Sequence, residues 1–219
     1  MTLRILYGGT FDPVHAGHLA VAIAARDTLH ADVAFVPAAD PPHRPAPGAS
    51  AAQRAAMVAL AIAGTPGLSL DERELRRDGP SWTVLTLEQA RAEAGPSAPL
   101  AWLVGADAFR GLPTWHRWET LAGLAHLVVA VRPGHALSPL PDVLAASMAG
   151  RWTERPADLV SAPSGRAFLL DMPPHPASAT QLRERLRGRA DTGGWLAPGV
   201  AGYIREHGLY TGDARGPGV

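Results

Sequence analysis

Leu3-Arg4-Ile5-Leu6-Tyr7-Gly8-Gly9-Thr10-Phe11-Asp12-Pro13-Val14-His15-Ala16-Gly17-His18-Leu19 is the stretch on which the fold turns. Its apolar run, residues 3–7, ends in a glycine pair and has the length of a buried strand. A turn through Asp12-Pro13 leads into a helical pattern over residues 17–29, and residues 33–37 read as the next strand. Strand, loop, helix, strand in that order implies parallel pairing through a right-handed crossover, the opening unit of a Rossmann-like sheet.

Working outward, proline and glycine crowd residues 37–48, which read as a surface loop carrying His43 and Arg44. Residues 51–63 look helical, residues 68–70 form a short strand, and Ser81 is a plausible cap for a helix over residues 83–94. Residues 100–104 are a strong buried strand that again stops at a glycine, Gly105. Residues 127–131 give another strand, followed by Arg132-Pro133-Gly134 and a proline-rich region to about Gly165 with no assigned element. Residues 168–170 are the last strand, and residues 179–187 and 198–206 two terminal helices. The expected fold is α/β: a Rossmann-like, doubly wound, mostly parallel sheet of five or six strands with helices on both faces. One domain over residues 1–210 and a disordered tail over 211–219 complete it. Ligands of such sheets sit outside the carboxyl ends of the strands where strand order reverses, which places the crevice between the loops after Tyr7 and after Val104.

Composition narrows the chemistry. Twenty acidic and twenty basic residues in 219 balance to zero net charge, so neither nucleic acid nor an anionic membrane surface is indicated as a partner. No cysteine is present, which excludes disulfides, thiolate nucleophiles and cysteine-rich zinc modules. Every basic side chain is arginine. The Walker-type phosphate loop, the kinase strand lysine and Schiff-base catalysis each need an ammonium that is missing here. No signal-peptide pattern opens the chain, and no apolar run approaches the roughly 18 residues of a membrane span. A cytoplasmic enzyme of small molecules is expected, with homo-oligomerisation left open.

The segment from Gly8 to His18 combines features that bind anions. Gly8, Gly9, Thr10 and Phe11 form a turn whose backbone N–H groups can approach a phosphate. The helix that follows presents its N-terminal donors, and His15 and His18, three apart, share one face and add directed donors. A zinc site is the other functional reading of two close histidines, but no glutamate stands beside them and no further ligands fall in register, so no protein metal ligand is assigned. Near the other end, Ser178-Ala179-Thr180-Gln181-Leu182-Arg183 reads as a helix start whose hydroxyls and guanidinium could clamp a polyphosphate, or simply as a capped helix. Asp107, after Gly105 at the predicted crevice, is either a ribose ligand or a cap.

His15-Ala16-Gly17-His18 resembles the histidine-any residue-glycine-histidine signature of the nucleotidyltransferase superfamily. Ser178 to Arg183 resembles its second element, with Ala179 standing where many relatives carry another serine. Pro41-Pro42-His43-Arg44, Gly79-Pro80-Ser81-Trp82-Thr83, Gly105-Ala106-Asp107, Trp115-His116-Arg117-Trp118 and Arg132-Pro133-Gly134 then follow in the order of bacterial nicotinate-mononucleotide adenylyltransferases. The resemblance runs from about Leu3 to Tyr210.

That resemblance implies transfer of AMP from ATP to nicotinate mononucleotide, with Mg2+ travelling on the ATP phosphates. His15, His18, Ser178 and Arg183 would be catalytic, and Gly8, Gly9, Thr10, Phe11, Gly105, Asp107 and Thr180 would bind ATP. His43, Arg44, Trp82, Thr83, Trp115, His116 and Arg132 would bind the mononucleotide. In that role Trp82 and Trp115 offer flat surfaces to a pyridine, N–H groups near Thr83 and His116 receive its carboxylate, and Arg44 and Arg132 hold its phosphate; as a plain alternative, each tryptophan is a core residue. Nicotinamide mononucleotide or phosphopantetheine are rival acceptors, and a turnover-dead nucleotide sensor is the rival class. An acceptor phosphate is already largely dianionic near neutral pH, so no general base is required.

Overall fold

The computed structural model describes residues 2–39, 47–131, 137–172 and 175–211. His43, Arg44 and Arg132, and the expected tail apart from Thr211, lie outside the described residues.

Seven strands make one sheet: β1 (Arg4–Gly9), β2 (Asp32–Pro37), β3 (Leu68–Leu70), β4 (Leu100–Gly105), β5 (His126–Val131), β6 (Trp152–Thr153) and β7 (Ala167–Asp171). Their order is β3-β2-β1-β4-β5-β7-β6, and every pairing is parallel. Consecutive strands after β1 run outward to one edge and those from β4 run to the other, so β1 and β4 flank the reversal point, as expected from the two glycine-terminated strands.

The nine α-helices of the described residues are α1 (Ala16–Leu29), α2 (Ala51–Ile62), α3 (Thr83–Ala94), α4 (Ala106–Arg110), α5 (Leu121–Leu124), α6 (Asp142–Met148), α7 (Pro156–Val160), α8 (Ala179–Arg187) and α9 (Pro198–Glu206). They cover both faces because strand side chains alternate. Ile5, Tyr7, Val33, Phe35, Ala101 and Leu103 join a core with residues of α1, α2, α8 and α9. Leu6, Ala34, Val36, Leu100, Trp102 and Val104, one position out of step, join the opposite core with residues of α3, α5 and α6. Two apolar layers explain why these strands read as continuous hydrophobic runs.

The structure departs from the sequence reading in several places, among them α4 and α5, which that reading left unassigned. The sheet has seven strands rather than five or six, because β6 adds a two-residue edge strand. The region up to Gly165 holds α6 and α7 as well, short helices that bury little beyond Leu144, Met148 and Leu159 and so show no sustained period. Ser81 does not cap α3: Trp82 is the N-cap residue, without a side-chain cap bond, and the Ser81 hydroxyl oxygen instead accepts the Ala39 N–H at 2.8 Å. That bond joins the loop before α3 to the end of β2.

Candidate active site

A cleft of about 1090 Å³ opens at the carboxyl ends of β1 and β4. Gly8, Gly9, Thr10 and Phe11 form its floor on one side, and Gly105 and Asp107 line the other. The turn is tight for identifiable reasons. Phe11 holds φ 50°, left-handed and uncommon for a residue with a side chain. Gly8 is required because a Cβ there would lie 2.0 Å from the Trp102 ring, which packs over it from β4. Its missing side chain therefore serves strand packing as well as any close approach by a ligand.

His15 is the N-cap residue of α1 and His18 its third residue. Their rings stack with centroids 3.8 Å apart and planes at 28°. The His15 backbone N–H donates to Nδ1 of His18 at 3.3 Å, which places the proton of a neutral His18 ring on Nε2. Phe11 meets the His18 ring edge-on, centroids 5.1 Å apart, fixing its tilt. The helix entrance is less open than its sequence suggests: the Ala16 N–H donates to the Trp195 carbonyl at 2.8 Å, and that of His18 to the His15 carbonyl at 2.8 Å. Those two helix amides are therefore already bonded within the protein.

Arg183, from α8, reaches the same cleft. Its Nη1 donates to the Asp12 carbonyl at 2.6 Å and stands 3.8 Å from the Asp12 carboxylate. Two parts of the chain 171 residues apart therefore share one rim. Ser178 caps α8 by accepting the Gln181 N–H at 3.3 Å, which leaves its own O–H as a donor beside the cleft. Thr180 sits behind Arg183, its hydroxyl 3.5 Å from Nη2, rather than among the residues lining the cleft.

Thr83 and Trp115 line the cleft, whereas Trp82 and His116 sit at its side, stacked on each other with centroids 3.9 Å apart and planes at 29°. Trp82 and Trp115 are half-buried and pack against the core on the α3 side of the sheet. Asp107 lies in the first turn of α4, whose N-cap residue is Gly105, and pairs with Arg110 at 2.9 Å while its side chain stays exposed, so it does not cap the helix.

Residues 6–185 match the cytidylyltransferase-like family. A probable nicotinate-nucleotide adenylyltransferase of Stenotrophomonas maltophilia (strain K279a) is 52% identical over 216 residues, covering 96% of this chain and 97% of that protein. The chain belongs to the nicotinate-nucleotide adenylyltransferase family. A protein of the same name from Xylella fastidiosa (strain M12) is 50% identical over 214 residues, covering 95% of this chain and 96% of its own. In fold, the chain is similar to a nicotinic acid mononucleotide adenylyltransferase of Plasmodium falciparum solved with NaAD, with a TM-score of 0.71 over 96% of this chain and 98% of that one at 16% identity.

Several residues of the site had no voice in the sequence reading. Arg54, on α2, is 1% exposed and donates to three loop carbonyls: Thr10 at 2.7 Å, Ala49 at 3.2 Å and Ala39 at 3.3 Å. Burial lowers its pKa, an effect opposed by the nearby Asp12 carboxylate. The clue was an arginine amid the alanine, methionine and valine of an otherwise apolar helix face. Glu74, also buried, lines the cleft and accepts from the Thr86 hydroxyl at 2.5 Å. Burial pushes its carboxyl above the usual range, while its bonds to Thr86 and Ser81 pull the other way. With Ser81 bonded to Ala39, this group anchors the loop that carries Trp82 and Thr83. Arg110 and Arg187 add cationic lining. A second, shallower hollow beside the start of β7 is lined by Arg151 and Arg166, and Arg151 is committed to the carbonyls of Ser147 and Gly165.

Proposed function

We propose that the protein transfers the adenylyl group of MgATP to nicotinate mononucleotide, forming deamido-NAD and pyrophosphate. The observation that carries this reading is the meeting of the His15–His18 pair with Arg183 at one cleft, on a chain about half identical to proteins named for that activity. An oxygen of the acceptor phosphate attacks the α-phosphorus, the bond from that phosphorus to the bridging oxygen breaks, and pyrophosphate leaves with the electron pair. No proton has to move, because the nucleophile is already an anion. What the protein contributes is alignment and charge stabilisation.

His18 Nε2 and His15 donate to the α-phosphate oxygens, on which charge grows during displacement. Arg183 and the Ser178 hydroxyl hold the departing β and γ groups, and the turn from Gly8 to Phe11 with Gly105 and Asp107 holds the nucleoside. Among the described residues no group of three or more His, Asp or Glu is placed to hold a metal ion. Mg2+ would arrive on the ATP phosphates and supply charge neutralisation for the leaving group. Acceptor binding falls to the opposite wall, with Thr83 and His116 contributing backbone N–H groups and Trp82 and Trp115 flat faces. A pyridine on Trp82 must share that ring with His116, which already stacks there.

Two measurements test the reading. With ATP and Mg2+, pyrophosphate release is expected with nicotinate mononucleotide, at a kcat/KM far above that for nicotinamide mononucleotide or phosphopantetheine. Release with neither mononucleotide would return the chain to the sensor class. Trp82→Ala is expected to raise KM for the mononucleotide about tenfold or more, the worth of one ring stacked on an aromatic, and to leave KM for ATP unchanged. Equal effects on both substrates would move Trp82 into a purely structural role.

A further inference from the structure

The carboxylate of Asp12 faces a cleft proposed to hold a triphosphate, an arrangement that on charge alone should weaken binding. Its surroundings resolve the conflict. One oxygen accepts the Tyr210 hydroxyl at 2.6 Å, and the other accepts the Gly48 N–H at 2.9 Å and lies 3.8 Å from Arg183 Nη1. Asp12 is 8% exposed and Tyr210 equally so. The Tyr210 ring lies against Gly48 so closely that a Cβ there would come within 2.8 Å of it, which accounts for the glycine. Four segments, after β1, before α2, in α8 and after α9, thus converge on one carboxyl group.

We propose that Tyr210 and Asp12 are positioning residues for Arg183: the turn after α9 fastens the Asp12 carboxylate, and Asp12 in turn aims the guanidinium at the β and γ phosphates of ATP. Arg183 is held chiefly by the main-chain oxygen of Asp12. One further N–H, on Nη2, faces the Thr180 hydroxyl at 3.5 Å and the others are left for a ligand, while the side-chain carboxylate is occupied by Tyr210 and Gly48. Burial and the bond to Asp12 both raise the Tyr210 pKa, so the hydroxyl stays a donor throughout the working range. This inference rests on the role of Arg183 in the function proposed above.

Tyr210→Phe removes only the hydroxyl. Expected is a rise in KM for ATP of about fivefold to tenfold, as for loss of one hydrogen bond to a charged group, with KM for the mononucleotide close to wild type and the melting temperature lowered by a few degrees. Calorimetric titration with a non-hydrolysable ATP analogue should show the same weakening without an acceptor present, so a failure of the acceptor assignment is read separately in the wild-type enzyme. In an Arg183→Ala background the same change should have no further effect on ATP. Asp12→Asn, which keeps the main-chain bond and shape, should weaken ATP similarly. Unchanged ATP binding in Tyr210→Phe, an equal loss for both substrates, or full additivity with Arg183→Ala would each overturn the proposal.

Discussion

Replacing His18 with alanine is expected to lower kcat by about 10²-fold or more while KM for ATP moves little, the signature of a donor used mainly as charge develops. The ring is prepared for that use before substrate arrives. Its Nδ1 accepts the His15 N–H, its face lies on the His15 ring and its edge on Phe11, so Nε2 is oriented at no further cost in ordering. Ground-state ATP is held by many groups and loses little when one goes. The charge arising on the α-phosphate has few donors, so losing one is felt there. Steady-state rates of pyrophosphate release at saturating ATP check this, and turnover equal to wild type would take His18 out of the mechanism.

Arg183→Ala should act on both terms, lowering kcat/KM for ATP by about 10²–10³-fold. Its guanidinium reaches the cleft from a late helix and is the rim cation whose placement is fixed by a bond to the β1 loop. Stability should change little by comparison, since the Arg183 side chain is 27% exposed and water can replace it at the Asp12 carbonyl. Arg183→Lys retains the charge but not the fork, and is expected to fall between wild type and alanine. Kinetics with ATP varied and thermal denaturation of both variants supply the check. An unchanged KM for ATP in both would dissociate Arg183 from the polyphosphate.

The strands that build the cleft could be read from sequence because each is buried on both faces and bounded by glycine, as with β1 and β4. Residues 179–187 and 198–206 were equally legible, matching α8 and α9. What escaped is what is too short for a local period: the two residues of β6 and the short helices α4, α5, α6 and α7. The site divided the same way. His15, His18, Ser178 and Arg183 carry motif spacing, and the fold brings them to one cleft. Asp12 registered only as part of a turn, because its partner Tyr210 lies 198 residues away and nothing near either position marks the pair. Ser81 had the composition of a cap, but its hydroxyl found the Ala39 N–H across the loop instead.

Arg54 carries a consequence for how such a protein can change. Its donors end on the turn after β1, the end of β2 and the residue before Ser50, beneath the wall where both substrates would enter. Those three segments are tied together by one side chain. A chimera that crossed over between residues 10 and 54 would pair a guanidinium with carbonyls shaped for a different one, whereas an exchange beyond α2 leaves the keystone and its arch from the same parent.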